Sequence, residues 1–88
     1  MMTGGYGEEQ PIDAEAQTIA MQMKPQIEAK MGRAFPIYVP VSFQIQMVAG
    51  MNFKIRIAVD AGKNVLATIY QTLPCAGNTL SLTDSVWM

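Results

Sequence analysis

Residues 35–59 read FPIYVPVSFQIQMVAGMNFKIRIAV, and this stretch decides the fold. Before Gln46, apolar residues recur at every second position: Phe35, Ile37, Val39, Val41, Phe43 and Ile45, with Ser42 and Gln44 between the last of them. After Gly50 the same period returns in Met51, Phe53, Ile55, Ile57 and Val59, set against Asn52, Lys54 and Arg56. Strand side chains alternate between two faces, so each run predicts a strand whose odd-numbered residues are buried. Residues 46–50 between them predict a hairpin tip. Tips are ordinarily polar, yet this one carries Met47, Val48 and Ala49 before the turn-permitting Gly50. Apolar surface offered at a tip implies a partner.

Working outward, Pro36 and Pro40 occupy even positions of the first run, where they remove ladder donors. They predict that its early part is unpaired or bulged. Residues 60–64 are a turn by composition. Val65, Ala67 and Ile69 give a third strand, with Thr68, Tyr70 and Thr72 on its other face. Leu73-Pro74-Cys75-Ala76-Gly77-Asn78 predicts a second loop, and Leu80 and Leu82 a last strand that ends near Trp87.

Upstream, Asp13 is a candidate N-cap and Glu15 places negative charge in a first helical turn. Ala16, Ile19, Ala20, Met23, Ile27 and Met31 recur at spacings of three and four, the stripe of one helix face. Pro25 interrupts this pattern, so the expectation is one helix over residues 13–31, kinked near 21–25 and stopped by Gly32. Met21 falls off the stripe. Residues 1–10, with Gly4, Gly5 and Gly7, read as a flexible arm. The whole is a single α+β domain over residues 1–88: one long N-terminal helix wrapped by an antiparallel β-meander of four strands, or five if the arm adds to the sheet. Short links then bring the tip at 46–50 and the loop at 73–78 to the same edge.

Composition narrows the function. Half of the 88 residues are hydrophobic and 15% are charged, which argues against disorder. The net charge of −1, with Lys and Arg scattered, gives no footprint for nucleic acid or an anionic membrane. No run is long enough to span a bilayer and the N-terminus lacks the layout of a secretion signal, so the expected location is cytoplasmic. Cys75 stands alone, which excludes an internal disulfide. The chain has no histidine, so imidazole-based catalysis and His-containing metal sites are excluded, and Cys75 has no partner to take its proton. The carboxylates fall in the arm, on the helix and in loops. Neither enzyme activity nor a cofactor or metal is expected.

Gln46, Val48 and Gly50 match Gln-x-Val-x-Gly, the hairpin signature of the type 1 cystatins, or stefins. Other features stand in the family's order: a glycine at Gly4 or Gly5, the Lys24-Pro25-Gln26 step, Phe35-Pro36, Val41-Ser42-Phe43 and Leu73-Pro74. With this set the chain resembles a stefin over nearly its whole length. The resemblance implies a cystatin-like fold and reversible, tight, competitive inhibition of papain-like cysteine peptidases such as cathepsins. It also implies the binding residues: Gly4 and Gly5 in the arm, Gln46, Met47, Val48, Ala49 and Gly50 in the tip, and Leu73, Pro74 and Cys75 in the second loop. These would form a wedge that fills the substrate cleft on both sides of the catalytic cysteine.

Three departures carry expectations of their own. By family comparison the chain is about ten residues shorter than usual, which thins the margin of a small domain. Cys75 lies within a binding loop, where oxidation would block the wedge. Met47 stands where valine is commoner, and its flexibility widens the range of enzymes accepted. A monomer is expected; exchange of the helix and first strand across a straightened tip, or a Cys75 disulfide, would give a dimer. The alternative function is a non-inhibitory interaction module that keeps the scaffold and meets a different partner.

Overall fold

The computed structural model describes residues 5–88. Five antiparallel strands lie in sequence order: β1 (Gln10–Pro11), β2 (Tyr38–Val48), β3 (Gly50–Val59), β4 (Asn64–Gln71) and β5 (Leu80–Trp87). Two helices between β1 and β2, α1 (Ala14–Gln22) and α2 (Lys24–Met31), cover one face of this sheet. The architecture is therefore the expected α+β meander, with the arm supplying the fifth strand.

The predicted kink is a break. Asp13 caps α1 by accepting the Ala16 N–H at 2.8 Å. The helix then ends where Pro25 has no N–H to give the Met21 carbonyl; the Met23 N–H still makes the last helical bond of α1, to the Ile19 carbonyl at 3.0 Å. Pro25 falls in the first turn of α2, where no donor is required. Gly32, at φ +77°, closes α2 with its N–H on the Glu28 carbonyl at 2.9 Å. The stripe survives the break: Ala16, Ile19, Ala20, Met23 and Ile27 are all buried, and they pack with Phe53, Ile55, Ile57, Val65, Ala67 and Ile69. Met21 is exposed, as its place off the stripe requires.

The first half of β2 corrects the predicted faces. Ile37, Val39 and Val41 are exposed, while Tyr38 and Pro40 point to the core. A bulge is the cause: Pro40 lies opposite Ile57 and Ser42 opposite Arg56, so Val41 is an extra residue. One extra residue reverses the parity, and beyond it Phe43 and Ile45 face inward as predicted. Inward placement of Tyr38 is satisfied by its hydroxyl, which donates to the Ala20 carbonyl at 2.7 Å. Burial, and secondarily Glu28, hold this phenol's pKa above its ordinary range. Phe35 is buried but precedes the strand, its N–H held by the Glu28 carboxylate at 2.8 Å.

A second bulge doubles β5 at Thr83, between Asp84 opposite Thr68 and Leu82 opposite Ile69. It brings Ser85 into the core and Trp87 edge-on to Phe35, with ring centroids 5.8 Å apart. Lys30 of α2 pairs with Asp84 of β5 at 2.8 Å and Arg33 with Asp60 at 2.5 Å.

Candidate functional site: one edge of the sheet

Because the strands alternate in direction, β2 ends, β3 begins, β4 ends and β5 begins at one edge. β1 runs against β2, with Gln10 opposite Phe43, so the residues before it lead to that edge as well. Three segments converge there: the arm, the β2–β3 tip and the β4–β5 loop.

The tip is narrower than the five residues predicted. Pairing continues through Gln46–Asn52 and Met47–Met51 to Val48–Gly50, leaving Ala49 alone at the apex. Gln46 belongs to the ladder, and its side chain accepts from Asn52 Nδ2 at 2.9 Å. Gly50 adopts φ +111°, a region that favours glycine. A Cβ there would overlap the Gln71 carbonyl and approach the Tyr70 hydroxyl at 2.9 Å, so space and backbone both exclude a side chain. The Tyr70 hydroxyl donates to the Ala49 carbonyl. Met47 is 69% exposed, more than any other large hydrophobic side chain described. Val48 is half-buried and Ala49 exposed.

The β4–β5 loop builds its own frame. Pro74–Ala76 make a single 3-10 turn, closed by Gly77 N–H on the Pro74 carbonyl and Asn78 N–H on the Leu73 carbonyl, each at 3.1 Å. Thr72 and Thr79 clamp its base: the Thr72 N–H donates to the Thr79 carbonyl at 2.9 Å, and the Thr79 N–H to Thr72 Oγ1 at 2.7 Å. This leaves Leu73, Pro74 and Cys75 exposed. Between the two loops runs a groove of about 270 Å³ lined by Met47, Val48, Gly50, Met51, Leu73 and Pro74, with Gln71, Thr72 and Asn78 beside them, so the loops form one largely apolar surface.

The arm is tied to β2. The Gly7 N–H donates to the Ile45 carbonyl at 2.9 Å and its carbonyl accepts from Gln44 Nε2 at 3.0 Å. Lys54 Nζ sits 4.3 Å from the centre of the Tyr6 ring, and the Glu9 carboxylate meets the Ser42 hydroxyl and Arg56. The expected flexible arm is thus held from Gly7 onward. Gly5 lies exposed before this anchorage; Gly4 lies outside the described residues.

Across residues 46–50 and 72–79 there is no Asp, Glu, Lys or Arg, and Cys75 is the one titratable side chain. Several acid and base groups elsewhere are occupied structurally: Asp13 as a cap, Glu28 on the Phe35 N–H, Asp60 with Arg33 and Asp84 with Lys30. Among the described residues no three His, Cys, Asp or Glu side chains gather as a metal site would need. No described helix is long and apolar enough to cross a membrane. The tip and the β4–β5 loop thus present an uncharged, largely apolar surface.

Sequence reasoning placed Gln46, Met47, Val48, Ala49, Gly50, Leu73, Pro74 and Cys75 at this edge, and the structure brings them together. It missed Tyr70, Met51 and the Thr72–Thr79 clamp. The two threonines flanking the loop were a readable signal, whereas Tyr70 reaches across 21 residues and leaves no local trace.

No family model matches the sequence. Individual relatives do. The chain is 39% identical to Stefin-C of Bos taurus over 81 residues, covering 92% of this chain and 80% of that protein. It is 38% identical to Cystatin-B of Homo sapiens over 84 residues, 96% of this chain and 86% of that protein. With Cystatin-A of Felis catus the identity is 32% over 83 residues, 94% of this chain and 85% of that protein.

Proposed function

The chain belongs to the type 1 cystatin (stefin) family, and from that premise we propose that it inhibits papain-like cysteine peptidases, cathepsins among them, reversibly and competitively. The family is one of inhibitors rather than enzymes. The protein acts as a monomer in the cytoplasm, entering the substrate cleft with Gly4 and Gly5 of the arm, residues 46–50, and Leu73-Pro74-Cys75.

The observation that carries this reading is the convergence on one sheet edge of two uncharged, largely apolar loops, each already anchored, with the arm leading to the same edge. Apolar burial contributes about 25 cal/mol per Å², but binding retains only what ordering and desolvation leave over. A tip paired to its last residue and a loop clamped at its base have little freedom left to lose. The enzyme's cysteine is covered and no scissile peptide is aligned with it, so occupation blocks turnover without cleavage.

The test is titration of active-site-counted papain. Activity should fall linearly to near zero at an equimolar ratio, return on dilution, and leave the inhibitor at its original mass. Full activity at excess protein would overturn the proposal.

A further inference from the structure

We propose that Tyr70 is a positioning residue for inhibition: from β4 it fixes the Ala49–Gly50 apex in one conformation, so that Met47, Val48 and Ala49 meet the peptidase already ordered. This rests on the inhibitory reading above.

The apex is the weakest point of the wedge. Ala49 stands outside both strands, and the next residue is a glycine at φ +111°, the residue type with the most backbone freedom. Left alone, the peptide between them would sample several orientations. Tyr70 acts on this peptide twice. Its hydroxyl donates to the Ala49 carbonyl, and its ring lies where a Gly50 side chain would be, 3.1 Å from the Cβ position at Cε1 and 2.9 Å at the hydroxyl. The phenol therefore blocks rotation by volume and selects an orientation by its hydrogen bond.

Tyr70 is free for this task because of where it stands. It lies opposite Asn52 on the sheet face away from the helices, while Ala67 and Ile69 of the same strand supply the core. It is half-buried, and its hydroxyl is directed to the tip. Removing that hydroxyl leaves the core and the ring in place, so the brace is separable from the fold. Gly50 is then obligatory partly because Tyr70 occupies its side-chain space, and the two residues act as a pair.

The experiment compares the full-length wild-type chain with Tyr70→Phe and Tyr70→Ala, reading papain inhibition, melting temperature and hydrogen exchange of the Gly50 amide in the free protein. Tyr70→Phe should weaken inhibition about three- to tenfold, the range of one neutral hydrogen bond. The melting temperature should fall by no more than about 4 °C. Gly50 exchange should quicken while core amides such as Ile55 keep their rates. Tyr70→Ala should weaken inhibition further, because the blocking ring is lost too. Wild-type inhibition and Gly50 exchange in Tyr70→Phe would overturn the proposal, as would a loss of inhibition accompanied by equally faster exchange throughout the core. If the wild type fails to inhibit papain, the inhibitory reading falls and this role in inhibition falls with it, but Gly50 exchange in Tyr70→Phe still separates the two causes: faster exchange at the tip keeps the brace, and an unchanged rate removes it.

Discussion

The two loops at the proposed binding edge are built on opposite plans. The Leu73–Asn78 loop is framed by its own backbone and by the threonines at its base, partners within seven residues of one another. The Val48–Gly50 tip has a ladder beneath it, but its apex is fixed by a side chain from a different strand. A loop framed locally is specified by its own sequence; a tip braced from β4 has its shape only once the sheet has formed. The tip should accordingly be the more vulnerable of the two.

The glycines test this most severely. Gly50 and Gly77 have similar positive φ angles, +111° and +99°, but differ in their surroundings. A Cβ at Gly77 would meet only the Thr79 methyl at 3.7 Å, whereas at Gly50 it would overlap backbone. Gly50→Ala is therefore expected to combine backbone strain with displacement of the apex. A cost of about 2–3 kcal/mol corresponds to a melting temperature lowered by roughly 10–20 °C in a domain of this size. Papain inhibition should weaken by about a hundredfold or more, since contacts near the reacting centre tolerate little displacement. If Gly50→Ala and Gly77→Ala behave alike, the contrast between the loops is wrong.

Exposed side chains give the next largest effect. Met47 and Leu73 project from the two loops, 69% and 43% exposed, and neither belongs to the core. Truncating either should leave the melting temperature within about 2 °C, because exposed substitutions away from structural features change stability little. Binding should suffer by about 1–2 kcal/mol, roughly five- to thirtyfold in the inhibition constant. Met47→Ala should lose more than Leu73→Ala, having more surface to bury. Equal inhibition by both variants would move the contact elsewhere on the edge.

Gly77→Ala should be milder still. Its strain is confined to the backbone, about 1 kcal/mol, or a melting temperature some 4–8 °C lower. Inhibition should weaken only a few-fold, because the Thr72–Thr79 clamp still holds the base of the loop.

The same contrast explains what was legible in the sequence. Period-two runs located β3 and β4 with their correct faces, and the 3–4 spacing located the helical stripe, because each pattern is repeated and local. β2 was legible in position, but in face only beyond the bulge, at Phe43 and Ile45. Pro36 and Pro40 announced an irregularity, yet alternation cannot say which residue is doubled, and the parity of Ile37, Val39 and Val41 depends on Val41 being the extra one. Pro25 marked a disturbance without saying whether the helix bends or breaks; the answer lies at Met23, which ends α1 and begins α2 with Pro25 in the new first turn. At the site, motif residues located the tip and the loop. The brace was not legible, because Tyr70 meets Ala49 only through the register of β3 on β4.

The smallest effect concerns charge, and it separates the edge from the body that carries it. Lys30 on α2 and Asp84 on β5 join the helix layer to the last strand, and neither belongs to the tip or to the Leu73–Asn78 loop. The Lys30 ammonium, and then the Ser85 backbone N–H, hold the Asp84 carboxyl below its ordinary value of 3.8. A carboxyl whose pKa is lowered by folding adds stability that is present above its unfolded value and is lost as pH falls through the folded one. The pair is exposed, so its share is small and screened by salt. Asp84→Asn should therefore melt slightly below wild type at pH 6, with the gap closing as pH drops below about 4. The loops carry no acid or base beyond Cys75, so the ratio of the two proteins' inhibition constants against one peptidase should stay constant between pH 4.5 and 7, values near the unperturbed carboxyl range and above it. A ratio that drifts with pH would mean that the α2–β5 contact shapes the binding edge, and the separation between body and edge would have to be abandoned.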